Sequence, residues 1–300
     1  MELSDALHPE TLALPLCQHQ IGARLLRYLG YETRSFTLRN RGATAASVLM
    51  TRVRWLGLPL PLCARRGPVW AGTVALADRC EGLRQLNAEG LLCIEADSPA
   101  DAAALAAAGY VRAGKVQHVR EIDVAARPAF PALPPEVRAR LEAADAARLT
   151  QRNRPFDADR DGALARKLNL PPKALKALAG LSLVAPAAFR LYSVDRYEVP
   201  VAALAIVLHP PVATLMFAWT DPDTPLEGAL DSVLDAALRG LQGRGILRLD
   251  LGAPEDPGAL PDAVASAFGA RTRELGGRWI RLPGLSLAAP MLLSQRGALA

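Results

Sequence analysis

Residues 189–219 read FRLYSVDRYEVPVAALAIVLHPPVATLMFAW, an aliphatic and β-branched run broken in two places. Asp195-Arg196-Tyr197-Glu198 separates Phe189–Val194 from Val199–Leu208, which is the spacing of a β-hairpin. His209-Pro210-Pro211 forces a second turn, because proline fixes φ and restricts the residue before it, and Val212 to Trp219 supplies a third strand. Strands joined by links this short predict an antiparallel meander.

Downstream, Asp221-Pro222-Asp223-Thr224-Pro225 ends the third strand. From Leu226 the apolar residues recur at Ala229, Leu230, Val233, Leu234, Ala237, Leu238 and Leu241, a helical period with Thr224 expected as N-cap and Pro225 at the first helical position. Gly243 and Gly245 stop that helix. Ile246–Leu251 then predicts a short strand, Pro261–Phe268 a second helix, and Arg278–Leu282 a closing strand.

Upstream lies a weaker copy of the same order. Leu14–Leu29 predicts an amphipathic helix stopped by Gly30, and Glu32–Leu38 and Ala46–Val53 a strand pair turned at Asn40-Arg41-Gly42. Trp55–Cys63, interrupted by Pro59 and Pro61, is an edge, a bend or a loop. A helix over Leu76–Ala88, a strand over Leu91–Glu95, a helix over Pro99–Ala108 and a strand over Val116–Val124 complete the first half. The proline-rich stretch Arg127–Pro135 is an extended join, followed by helices over Val137–Leu149 and Leu164–Leu181. The expected fold is therefore α+β with mixed sheets: a first module over residues 1–130, then linker helices and a second module over 131–300, each a mostly antiparallel sheet flanked by helices.

At 300 residues and 51% hydrophobic the chain can bury a large core. A formal charge of +5 and a pI near 9.3 suit anionic ligands without selecting one. Cys17, Cys63, Cys80 and Cys93 are too far apart in sequence for a zinc or CxxC site, so they are read as buried free thiols of a reducing compartment. His8, His19, His118 and His209 lack metal-ligand spacing, and no metal is expected. No apolar run spans a membrane and no secretory leader is legible, which predicts a cytoplasmic protein.

The duplicated order resembles the tandem GNAT-like fold of the Fem-type (peptidoglycan bridge) aminoacyl transferases. The matching pieces are Pro15-Leu16-Cys17-Gln18, the Arg66-Gly67-Pro68-Val69 turn, Ala108-Gly109-Tyr110 before the strand ending Glu121-Ile122-Asp123-Val124, the meander, Leu249-Asp250-Leu251-Gly252, and Ala267-Phe268-Gly269-Ala270. The resemblance implies an acyl or aminoacyl transferase that moves an activated acyl group from a thioester or ester donor to an amine. It implies no tightly bound cofactor, with acyl-CoA, an acyl carrier or aminoacyl-tRNA as donor and a small amine or a lipid-linked molecule as acceptor. A catalytically silent scaffold of the same fold that binds a partner or ligand is the alternative.

Chemistry of this kind needs a cleft where central strands part, with a helix N-terminus for an anionic donor. Arg65 and Arg66 with Gly67 precede the Leu76 helix and could hold phosphate, the glycine admitting a ligand close to the backbone. The equivalent turn in the second half carries Asp221, Asp223 and Glu227, which oppose a pyrophosphate; Asp221 either makes a turn or grips a cationic amine. Asp250, at a strand end, is a candidate base or a loop cap. Tyr192 is a second candidate catalytic group, and Trp219 a candidate wall of the pocket.

Overall fold

The computed structural model describes residues 1–4, 12–52, 54–55, 58–72 and 74–281. His8, Val53, Leu56, Gly57 and Leu282 lie outside them. Along the chain run β1 (Glu2–Ser4), α1 (Gln20–Tyr28), β2 (Glu32–Asn40), β3 (Ala43–Arg52), β4 (Arg54–Trp55), β5 (Leu58–Pro59), β6 (Leu62–Arg65), β7 (Val69–Trp70), α2 (Leu76–Ala88), β8 (Leu91–Ala96), α3 (Ala102–Ala107), β9 (Val111–Arg112) and β10 (His118–Asp123). There follow α4 (Pro135–Ala146), β11 (Thr150–Pro155), α5 (Ala158–Lys167), α6 (Pro172–Val184), β12 (Phe189–Arg196), β13 (Val199–His209), β14 (Val212–Thr220), α7 (Ala229–Gln242), β15 (Arg248–Gly252), α8 (Asp262–Ala267), β16 (Arg271–Glu274) and β17 (Gly277–Ile280).

These elements fall into two units, one built on Cys17–Gln117 with the segment from Glu274, the other on His118–Arg273. The first unit's sheet has the order β1-β2-β3-β6-β8-β17-β9, with β7 also on β3. The second has the order β11-β12-β13-β14-β15-β10-β16. Most pairs in each sheet are antiparallel, and one central pair is parallel, β6–β8 in the first and β14–β15 in the second. A parallel neighbour requires a crossover, and the crossovers are α2 and α7.

The meander is present as expected. β12 and β13 are joined by Tyr197 and Glu198 alone, both at positive φ, the backbone of a two-residue hairpin turn. β13 is buried from Val201 to His209, with α7 packed against one of its faces. Leu204, Ile206 and Leu208 meet Val233, Leu234, Ala237, Leu238 and Leu241 of α7 in one cluster. The first unit repeats the scheme, with Leu38, Val48, Ile94 and Trp279 of the sheet against Leu83 and Leu86 of α2.

The last strand of each half is not where the linear order puts it. His118–Asp123, read as closing the first module, pairs with β15 in the second sheet, and Gly277–Ile280 pairs with β8 and β9 in the first. Alternation determines that a segment is a strand and which face it buries, and the partner is whichever open edge accepts that face. Ile122 enters the cluster beneath α7, and Trp279 enters the cluster of the first sheet.

Local differences have local causes. α7 starts at Ala229 behind Gly228, not at Pro225, because Asp221 accepts from Asp223 N–H and Thr224 Oγ1–H and holds that stretch as a turn. α1 starts at Gln20, capped by His19 Nδ1, which accepts from Ile21 N–H at 3.2 Å. Thr150–Pro155, whose charges hid any alternation, is an edge strand on β12.

Candidate functional site

In the second unit β14 and β15 pair through Val212–Arg248, Ala213–Leu249 and Thr214–Asp250, and their parallel register ends there. Two residues later β14 carries a bulge at Met216, where the β13 register shifts between Ala205 and Ile206. A bulge bends its strand and increases the local twist, so the parting follows from the extra residue. Beyond it, Ala218 N–H donates to Gly258 C=O at 2.7 Å. Gly258 has φ +78, and a Cβ there would lie 3.0 Å from Phe217 Cβ and 3.3 Å from Leu168 Cδ1, so glycine lets this loop lie against β14.

At the parting the sheet carries a polar row. Thr214 pairs with Asp250, and Asp250 pairs with Glu121 of β10. Leu249 and Leu251 belong to the cluster under α7, so by strand alternation Asp250 faces the opposite side of the sheet. On that side His209 Nε2 lies 2.8 Å from Thr214 Oγ1, while Arg273 and Arg248 flank Glu121 at 3.2 and 3.8 Å. His209 and Asp250 are each 1% exposed, and Asp250 Oδ1 accepts from Gly252 N–H at 3.0 Å. The strand-end cap is therefore realised at Asp250. Thr214 and Glu121 are half-buried and give the row its accessible members.

The expected trio Asp250, Tyr192 and Trp219 is not assembled. Tyr192 pairs with Leu204 and belongs to the α7 side. Its ring lies beside Gly240, where a Cβ would come 3.3 Å from it, and burial pushes the phenol pKa up against the pull of Arg244 and Arg190. Trp219 is on the Asp250 side but five residues beyond Thr214, about 16 Å along the strand. It is 3% exposed, with Lys167 Nζ 5.4 Å from the centre of its ring. Asp221 is taken up by Thr224, whose hydroxyl holds the carboxyl below its ordinary range. Its turn-making alternative is the one realised.

The N-terminus of α7 is filled by the protein itself. Gly228 has φ +75, and a Cβ on it would fall 2.0 Å from the Arg140 carbonyl oxygen. The guanidinium of Arg140 meets Asp231 in the first turn of α7 through bonds of 3.0 and 2.8 Å. An internal carboxylate thus takes the position that the helix dipole offers to an anion.

Arg65, Arg66 and Gly67 lie in the first unit, and their charges are already matched. Arg65 Nε is 3.4 Å from Glu95, and Arg66 Nε is 2.8 Å from Asp97. Gln18, wholly buried, donates to Arg65 C=O at 2.7 Å and to Leu49 C=O at 3.1 Å, and accepts from Leu49 N–H at 2.7 Å. A Cβ on Gly67 would lie 2.6 Å from Gln18 Cδ. The glycine makes room for Gln18, not for a ligand. A separate hollow of about 320 Å³ beside the start of α2 is lined by Asn40, Ala43, Thr44, Ala45, Val74, Ala75 and Asp78. Asn40 Nδ2 donates to Asp78 there at 3.0 Å, and the carboxylate disfavours phosphate.

No protein-family model matches the sequence, and no curated protein matches it. Among solved structures, FemX superposes with a TM-score of 0.71 at 10% identity, covering 98% of this chain and 99% of that one. The fold is that of FemX. The C-terminal domain of a putative lysylphosphatidylglycerol synthetase from Agrobacterium fabrum superposes with a TM-score of 0.55 at 13% identity, over 91% of this chain and 90% of that one. L-PGS from Bacillus licheniformis gives 0.54 at 13% identity over the same shares. The expected α+β architecture, two mostly antiparallel sheets each flanked by helices, is the one observed. No helix among the described residues is long and apolar enough to cross a membrane.

The sequence offers His209, beside the meander, as a possible pocket wall, but it does not mark Thr214, Glu121 or Gln18 as members of these arrangements. Cross-strand pairing brings Glu121 to Asp250 across 129 residues of chain, and no local pattern marks such a pair.

Proposed function

We propose that the chain transfers an activated acyl or aminoacyl group from an ester or thioester donor to an amine, with the reacting atoms at the parting of β14 and β15. The observation that carries this reading is that parallel pairing stops after Thr214–Asp250, next to the Met216 bulge, beside a polar row in a sheet of FemX-like topology. Where strands part, a backbone N–H outside the sheet ladder can hold an acyl carbonyl and stabilise the oxyanion formed when an amine attacks. A carboxylate in the row can orient that amine and accept its proton.

The filled α7 N-terminus favours an aminoacyl ester over acyl-CoA as the donor of the second unit, because Arg140 and Asp231 take the place of a pyrophosphate. One of the structural neighbours is named a putative lysylphosphatidylglycerol synthetase, which supports a lipid-linked molecule as one acceptor class. A cytoplasmic location and handling of tRNA belong to the same proposal.

The test measures release of amino acid from charged tRNA and of free thiol from a panel of acyl-CoAs, each with and without amine acceptors. Amine-dependent deacylation of the ester donor, lowered about 100-fold or more in Glu121→Gln, the accessible carboxylate of the row, with the fold intact, is the expected result. Consumption of neither donor sinks the transferase reading. It would leave a ligand-binding scaffold, which the enclosed Asp250 carboxylate on Gly252 N–H favours.

A further inference from the structure

In the parallel pair β6–β8, Cys63 stands directly beside Cys93. Neighbouring strands run about 4.8 Å apart, inside the roughly 4.4–6.8 Å between Cα atoms that a disulfide spans. Leu62 and Ala64 on either side of Cys63, and Ile94 after Cys93, belong to the cluster under α2 and α3. Both thiols therefore stand on the other face of the sheet, and both are half-buried. Glu95 follows on that face, bonded to Arg278 Nη2 at 2.6 Å.

The charges around the pair make it asymmetric. The Cys63 thiol proton, followed by the Arg278 guanidinium, draws Cys93 down to about 7 against the opposing effects of burial and Glu95. The same contact with Cys93, together with burial, pushes Cys63 far up. Cys80 is 7% exposed with Sγ 3.8 Å from Ala104 C=O, and Cys17 Sγ donates to Arg65 C=O at 3.3 Å, as Cys63 Sγ does to Pro61 C=O at 3.7 Å, but neither Cys80 nor Cys17 stands beside a second cysteine in a strand pair.

We propose that Cys63 and Cys93 form a reactive dithiol on the face of the first sheet turned away from α2 and α3, in which Cys93 attacks disulfides of small thiols and Cys63 resolves the product. The Cys93 thiolate forms a bond to one sulfur of the incoming disulfide, whose S–S bond breaks and releases a thiolate. Cys63 then gives up its proton and attacks the Cys93 sulfur, releasing the second small thiol and leaving the Cys63–Cys93 disulfide. The incoming disulfide is the oxidant and is reduced to two thiols, so electrons balance. The bond would tie together the two strands that α2 separates in sequence.

The experiment treats the full chain with cystamine at pH 7 and follows each cysteine by alkylation and peptide mass spectrometry. A Cys63–Cys93 linked peptide is expected, with Cys93 consumed at least about 10-fold faster than Cys80. In Cys63→Ser the cysteamine adduct should persist on Cys93, and in Cys93→Ser the fast reaction should disappear. Circular dichroism checks that both variants fold. Initial iodoacetamide rates on the unaltered protein give the same ranking without a variant. Equal reactivity of all four cysteines, first reaction at Cys17 or Cys80, or an unmodified Cys93 in folded Cys63→Ser would each overturn the proposal.

Discussion

Arg140 and Asp231 face each other across α4 and α7 through two parallel hydrogen bonds, Nε to Oδ2 at 3.0 Å and Nη2 to Oδ1 at 2.8 Å. Asp231 is 3% exposed and sits in the first turn of α7, so the guanidinium and the helix dipole both act on the same carboxylate. Removing only the arginine strands a buried charge. Arg140→Met should cost about 3 kcal/mol in urea denaturation, and the Arg140→Met/Asp231→Leu pair should recover at least half of that. A single variant as stable as the parent would mean that the pair is incidental to the fold.

Gly228 is required by packing as well as by its backbone. Gly228→Ala should cost at least about 3 kcal/mol or prevent folding, since its Cβ would fall 2.0 Å from a carbonyl oxygen. Gly245→Ala is the control: φ is +70 there but nothing lies within 4 Å, so only the conformational cost of about 1 kcal/mol applies. Thermal unfolding of both variants separates the contributions, and equal losses would refute the packing argument.

The hairpin turn at Tyr197 and Glu198 holds non-glycine residues at φ +49 and +66. Tyr197 is 87% exposed and contributes little packing. Tyr197→Asn with Glu198→Gly should therefore stabilise the protein by about 1 kcal/mol, seen as a higher denaturant midpoint at unchanged slope. No gain would show that the cation contact of Arg196 with the Tyr197 ring, 5.4 Å to its centroid, outweighs the turn strain.

Asp101 carries a pH signature. Burial raises its carboxyl to about 6 from 3.8, although Arg79 bonds it at 2.8 Å and opposes the rise. Between those values the folded state holds more protons than the unfolded state, so this group's contribution to stability falls as pH rises through the window and is restored as pH drops. Relative to Asp101→Asn, the parent should gain stability on going from pH 7 to pH 4, by an amount on the order of 2 kcal/mol. A difference that stays flat with pH, measured by urea denaturation of both proteins, would contradict the raised value.

Much of the architecture is legible in the amino-acid order. The periodicities of Phe189–Trp219 and of Ala229–Leu241 determine a meander and a crossover helix, because alternation and the helical repeat depend only on which residues must leave water. The turn at Asp221 follows as directly, from an acceptor two and three residues ahead of its donors. Tertiary structure alone decided that His118–Asp123 joins the second sheet and Gly277–Ile280 the first, since an edge is chosen by the whole sheet that offers it. It likewise set Thr214 beside Asp250 and Glu121, Arg140 on Asp231, and Cys63 next to Cys93, pairs separated by 30 to 129 residues of chain. Sequence specifies which side chains are buried or charged, whereas the partner that neutralises or activates each one exists only after distant strands have found their register.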